Sequence, residues 1–248
     1  MNLATAALPN LRRNGAINAV QAEDLPVHGW YRFVLSYPPH LVRKYLAAFG
    51  LTGADLIFDP FCGTGTTLVE AKKHRVPSIG SDAHPFAAMV SRVKTNWRPD
   101  ADLLRQYLKR ILRRAEKFTG EQGLPSLSFE AMLLQDKSET SRNGFRLTEE
   151  EEKLLPTGFL SQRPLIRLLI LRDEIESQCV DEPPEITDFF LVALGHVIAN
   201  GAGNFAFGPE IYRTKPKHDY DVLGHFARHR PASVRDLDAA SHRRTRRR

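Results

Sequence analysis

The stretch LIFDPFCGTGTTLVEA, Leu56 to Ala71, constrains the fold more than any other part of the chain. A short apolar run ends at Asp59. Pro60, Phe61 and Cys62 follow, then Gly63-Thr64-Gly65-Thr66-Thr67, and then residues of helical composition up to His74. Strand residues that pass through a glycine-rich turn directly into a helix mark a βα unit. Ligands of such units bind at the carboxyl ends of the strands, where this turn lies. Gly63 and Gly65 tolerate positive φ and carry no Cβ, so a ligand can approach the backbone. The helix that follows presents unpaired N–H groups to a polar ligand.

The flanking sequence extends the pattern. Val76–Asp82 reads as a second strand and His84–Thr95 as a second helix, with Pro85 tolerated in its first turn. Strand, helix, strand, helix at this spacing predicts an α/β fold with a parallel sheet. Upstream, Leu41, Val42, Tyr45, Leu46 and Phe49 fall at helical spacing and Gly50 terminates the run.

Two phosphate-binding signatures fail. A Walker-type loop needs Lys directly after its last glycine, and no Lys follows Gly65 before Lys72. A dinucleotide fingerprint needs a third glycine at the position of Leu68. Asp82 ends the second strand, where its carboxylate can accept hydrogen bonds from ribose hydroxyls. One acid before the turn and one after the second strand suit a nucleoside with an amino-acid arm and no phosphates, which is S-adenosylmethionine.

At this point the residues resemble a known family. The block DPFCGTGTTLVEA is similar to the cofactor-binding motif of the DNA amino-methyltransferases, which modify the exocyclic nitrogen of adenine or cytosine. IGSDAHPFAAMVSRVK resembles that family's acid-Asn-Pro element, with His84 in the Asn place, and YPPHLVRKYLAAFG resembles the helix entry that closes over the cofactor's methionine end. The likeness is close from Tyr37 to Lys94 and looser from Phe159 to Val222. It implies a Rossmann-like class I methyltransferase sheet with a helical insertion or extension, S-adenosylmethionine as cofactor and DNA as partner. Carried over residue by residue, it implies that Tyr37, Asp59, Pro60, Phe61, Cys62, Gly63, Thr64 and Gly65 surround the methionine portion. Thr66 and Thr67 would start the helix and bond the carboxylate. Asp82 would take the ribose, and the backbone at Ala83 and His84 the adenine edge.

The family's chemistry also needs Asp, Asn or Ser, then Pro-Pro, then an aromatic residue. The polar side chain and a prolyl carbonyl hold the target amino group, and the ring stacks on a flipped base. Neither Pro-Pro pair here fits. SYPPH at Ser36–His40 has His after the prolines, and DEPPEI at Asp181–Ile186 has Glu on both sides. The catalytic residues are therefore unknown. The chain is expected to be incomplete, truncated or split, with a second polypeptide supplying the missing motif; the alternatives are a non-catalytic module that binds S-adenosylmethionine or DNA and regulates a partner, or an RNA methyltransferase.

Beyond residue 100 the sequence turns helical. Asp100–Phe118 carries the apolar stripe Leu103, Leu104, Tyr107, Leu108, Ile111, Leu112 and Ala115, with Arg105, Lys109, Arg110, Arg113, Arg114 and Lys117 mostly off it. Those cations read as a solvated face. Pro164–Ser177 and Pro184–Asn200 are dense enough in apolar residues to be buried helices. A polar loop after them carries Arg213, Lys215 and Lys217.

The net charge of +6 resides at the end of the chain: His225–Arg248 holds eight Arg and two Asp, leaving 27 basic and 27 acidic residues elsewhere. With few large apolar residues, 225–248 is expected to be a disordered basic tail; a changed reading frame would also explain the abrupt shift in composition. The domain expectation is thus a loose lead-in over 1–30, a cofactor-binding α/β core over 31–100, a mainly helical region with a polar loop over 101–224, and the tail. Cys62 and Cys179 are too few and too far apart for a disulfide framework or a zinc site, and no metal is expected. The N-terminus is not a secretory signal and no apolar run is long enough to span a membrane, so a cytoplasmic protein is expected.

Overall fold

The computed structural model describes residues 20–33, 35–121, 147–207 and 210–245. Strands β1 (Ile57–Asp59) and β2 (Ser78–Gly80) pair in parallel, with Phe58 opposite Ile79 and Asp59 opposite Gly80. Parallel neighbours require a crossover, and helix α3 (Thr66–Lys73) provides it. Val69 and Ala71 on α3 are fully buried, so the helix covers one face of the sheet. Strand side chains alternate between faces. Phe58 and Ile79 therefore point the other way, and they are 63% and 55% exposed.

The N-terminal segment is tied to this unit. A short helical turn at Ala22–Asp24 runs into α1 (Leu25–His28), and α2 (Pro39–Ala48) packs on α3. After β2, α4 (Pro85–Thr95) packs beside α3 and leads to α5 (Ala101–Glu121). Residues 122–146 lie outside the described part. Helix α6 (Glu149–Leu154) opens on a capping box, in which Thr148 and Glu151 satisfy each other's backbone N–H groups. Helices α7 (Gln162–Gln178) and α8 (Pro184–Val197) follow, and α8 continues into a π-helical turn at Ile198–Ala202.

One core runs through these elements. Val90 and Val93 of α4 join Leu104 and Ile111 of α5, Ile170 and Ile175 of α7, and Phe190 and Val197 of α8 in one hydrophobic cluster. Each such side chain, fully buried, stabilises the fold by about 1.5–3 kcal/mol. The stripe expected on α5 packs as its period dictates, with Leu104, Leu108, Ile111 and Ala115 buried. The packing is continuous across residue 100, where the sequence suggests a boundary.

The structure corrects both ends of the chain. Residues 222–245 form helix α9 (Val222–Thr245), not a disordered tail. Val222, Phe226, Val234 and Leu237 are buried, a sparse stripe at helical spacing that packs against α5, α7 and α8. The segment 20–30 is not a loose lead-in either. Val27, His28 and Trp30 are buried, and Trp30 Nε1 donates to Asp236 Oδ2 at 2.9 Å. His229 Nε2 lies 2.9 Å from the Trp30 carbonyl oxygen. The two ends hold one another, which composition taken separately for each end does not reveal. Residues 1–19 and 246–248 lie outside the described part. The polar loop after α8 contains an antiparallel hairpin, β3 (Phe205–Phe207) with β4 (Ile211–Arg213). Among the described residues no helix is long and apolar enough to cross a membrane.

Candidate functional site

The turn between β1 and α3 is held to the end of β2 by a set of hydrogen bonds. Ser81 N donates to the Asp59 carbonyl at 3.0 Å, and Cys62 N donates to the Ser81 carbonyl at 2.9 Å. Ser81 Oγ donates to the Pro60 carbonyl at 3.0 Å. The two acids therefore leave adjacent parallel strands on the same side. Asp82 bridges the two loops: Gly63 N donates to its Oδ2 and His84 N to its Oδ1, both at 2.8 Å. These bonds, that from His84 first, hold the Asp82 carboxyl below its ordinary range. A carboxylate has about four acceptor sites, so Asp82 keeps capacity for further donors. Asp59 Oδ1 accepts from Phe61 N at 3.2 Å, and the Phe61 ring is 84% exposed beside it.

The two glycines differ. Both have positive φ, +52° at Gly63 and +84° at Gly65. A Cβ on Gly63 would meet no atom within 4 Å and would stand in open space above the turn. A Cβ on Gly65 would lie 2.7 Å from Ser91 Oγ and 3.1 Å from Ser91 Cα. Bareness at Gly65 thus lets α4 approach the turn; only at Gly63 does it leave room for a ligand. Cys62 is buried, and burial pushes its thiol pKa up, as suits a small filler. Thr64 and Thr66 are buried, and Ala83 and His84 are exposed. His84 caps α4, its Nδ1 accepting from Ala87 N at 3.4 Å.

Tyr37 reaches this turn from upstream. Its hydroxyl donates to Asp59 Oδ2 at 3.2 Å and is hydrogen-bonded to Thr67 Oγ1. The Tyr37-Pro38-Pro39 run places Pro38 at the N-cap and Pro39 at the start of α2. Pro183 and Pro184 play the same part for α8. Both Pro-Pro pairs open helices.

Two charged groups were not legible as site residues. Glu70 on α3 is fully buried, with Lys73 Nζ donating at 2.9 Å, Arg43 Nη1 at 3.2 Å and His28 Nε2 at 2.7 Å from its carboxylate. Burial works to raise its pKa, but the bonds from His28 and Lys73 outweigh it and hold the carboxyl at about 2. Arg43 also pairs with buried Asp24, so this network ties α1 and α2 to α3. Lys94 on α4 is 2% exposed, and among the described residues its ammonium has no carboxylate or other hydrogen-bonding partner. Burial first, and then the charge of Arg32, pushes its pKa down to about 7. It lines a small cavity with His28, Ser36, Tyr37, Thr64 and Thr66. The available signal was its place four residues after Val90, on the core side of a helix.

Several cations of α5 and of the polar loop are engaged within the fold. On α5, Arg105 pairs with Asp102 and Arg114 Nε donates to Glu174 Oε2 at 2.7 Å. Arg110 lies over the Tyr107 ring at 5.0 Å. Lys217 Nζ donates to the carbonyls of Gly201 and Gly203. Among the described residues no group of three or more His, Cys, Asp or Glu could hold a metal ion.

No family model matches this chain, and no solved structure does. Curated relatives match part of it. The Type II methyltransferase M.MjaII of Methanocaldococcus jannaschii is 34% identical over 97 residues, 39% of this chain and 18% of the relative. The Type II methyltransferase M.BsoBI of Geobacillus stearothermophilus is 36% identical over 69 residues, 28% of this chain and 14% of the relative. The Type II methyltransferase M.MvaI of Kocuria varians is 29% identical over 70 residues, 27% of this chain and 15% of the relative. The chain spans less than a fifth of the length of each of these relatives. Along that part, the chain is similar to Type II methyltransferases.

Proposed function

We propose that this chain is the S-adenosylmethionine-binding portion of a DNA methyltransferase acting on an exocyclic amino group of adenine or cytosine. The observation that carries the reading is the turn itself. Asp59 and Asp82 leave neighbouring parallel strands, and Gly63, with open space where a side chain would stand, lies between them at a helix entrance. Asp82 retains acceptor capacity for ribose hydroxyls, Tyr37 and Thr67 border the entrance, and the backbone at Ala83 and His84 is exposed for an adenine edge. The residues present fit the cofactor. When bound, it supplies an electrophilic methyl group; the chain's residues orient it.

The exposed face of the sheet supports the second half of the reading. Parallel sheets are covered on both faces, yet Phe58 and Ile79 face outward from a sheet that, among the described residues, has two strands. The proposed cover is a second polypeptide that completes the Rossmann-like sheet and brings an Asp/Asn/Ser-Pro-Pro-aromatic segment to the methyl group. Such a segment is needed because the acceptor amino group is a poor nucleophile that must be aligned and hydrogen-bonded.

The test is methyl transfer from tritiated cofactor to mixed-sequence duplex DNA. The chain alone should stay at background, and transfer should rise when a polypeptide carrying that segment is added. Robust transfer by the chain alone would overturn the requirement for a second component and return attention to Pro38, Pro39 and His40.

A further inference from the structure

Resting on the reading that the turn holds S-adenosylmethionine, we propose that the Lys94 ammonium is the counter-ion of that ligand's carboxylate. A lysine is seldom fully buried unless it is paired. Lys94 is 2% exposed and, among the described residues, no carboxylate lies within ion-pair distance of it. Buried Glu70, on the neighbouring helix α3, is already committed to His28, Lys73 and Arg43. A buried cation left in that state is disfavoured: either the amine gives up its proton or an anion pairs with it.

The cavity beside it says where the anion sits. It is small, about 10 Å³, and reaches the glycine-rich turn through Thr64 and Thr66. Thr64 and Thr66 lie on its turn side and Ser36 and Tyr37 on the side of the upstream segment. Thr66 also starts α3, whose first N–H groups favour negative charge. One carboxylate oxygen enters beside Lys94 while the rest of the amino-acid arm lies over Gly63. The hydroxyls orient the carboxylate and Lys94 neutralises it.

The experiment removes the charge from each partner in turn. S-adenosylmethionine and its decarboxylated analogue are titrated calorimetrically into the chain and into Lys94→Met. The wild-type chain should bind S-adenosylmethionine at least about tenfold more tightly than the analogue, as for a desolvated charge-assisted pair. Lys94→Met should bind the two within about twofold. A variant that keeps the full preference, or a wild-type chain that shows none while binding both, overturns the assignment of Lys94. A wild-type chain that binds neither overturns the cofactor reading itself. Should Lys94→Met not fold, ¹⁵N NMR of lysine Nζ in the unmutated chain decides the matter, with the Lys94 signal identified by its loss in Lys94→Arg. That signal should move with S-adenosylmethionine and stay in place with the analogue; movement with both, or with neither, contradicts the proposal.

Discussion

Alanine at Gly63 and alanine at Gly65 should fail in different ways. Both positions have positive φ, which costs an L-residue roughly 1–2 kcal/mol. At Gly65 the new methyl would also meet Ser91 Oγ at 2.7 Å and Ser91 Cα at 3.1 Å. The second of these atoms belongs to the backbone and cannot rotate away, so α4 must shift, and overpacking of this kind adds typically 1–3 kcal/mol. Gly65→Ala should therefore lose about 2–5 kcal/mol, a large part of the 5–15 kcal/mol that usually holds a domain. At Gly63 the methyl meets nothing within 4 Å. Its cost is that of the backbone conformation alone, offset in part by about 0.4–1 kcal/mol from a stiffer unfolded chain. Gly63→Ala should stay within about 1.5 kcal/mol of wild type while losing at least about tenfold in affinity for S-adenosylmethionine, because the methyl projects into the ligand's approach. Urea unfolding measures the first quantity and calorimetric titration the second. Equal stability losses at the two glycines would refute the packing account of Gly65. Undiminished binding by Gly63→Ala would refute the placement of the ligand.

Two further outcomes follow from the packing. Asp236→Ala removes the acceptor of Trp30 Nε1 and of Val27 N, leaving a buried indole donor unpaired; the expected loss is about 1–3 kcal/mol in urea unfolding, and no loss would mean that α9 is not docked on α1. Acid should destabilise the chain in two overlapping windows. Burial lowers the pKa of His28 below 6.5 in the fold, so the unfolded chain takes up that proton first and stability falls as pH drops through 6.5. Glu70 is held at about 2 against 4.5 when free, so its contribution, on the order of 3 kcal/mol, is present above pH 4.5 and is lost as pH falls from there toward 2. Glu70→Gln should flatten the lower window in pH-dependent melts; an unchanged profile would contradict the role given to the His28–Glu70–Arg43 network.

The βα turn and the helices were legible because each is a local pattern. Glycine placement, the 3.6-residue stripe on α5 and the prolines at helix starts act over a few residues and appear in the structure where periodicity puts them. The order at the two ends was not legible. Trp30 and Asp236 are 206 positions apart and meet only in the fold, so the arginine-rich composition of 225–248 hid three buried apolar residues, Phe226, Val234 and Leu237. Lys217 read only as a cation of a polar loop, because carbonyl partners such as Gly201 and Gly203 have no side-chain signature. At the site, the positions of Asp59, Gly63 and Asp82 could be read from the strand ends. The bridging of two loops by Asp82, the role of Gly65 against Ser91 and the burial of Lys94 depend on how α4 packs, which single-sequence patterns do not encode.

The central claim is that the turn from Asp59 to Thr67, closed by Asp82, holds S-adenosylmethionine. Its most direct test is calorimetric titration of that ligand into the purified chain and into Asp82→Ala, with urea unfolding of both to confirm that each is folded. The account predicts saturable one-to-one binding by the wild-type chain and at least about tenfold weaker binding by the variant, since hydrogen bonds to a charged acceptor are lost. No saturable heat with the folded wild-type chain, or equal affinity in the two, would contradict it.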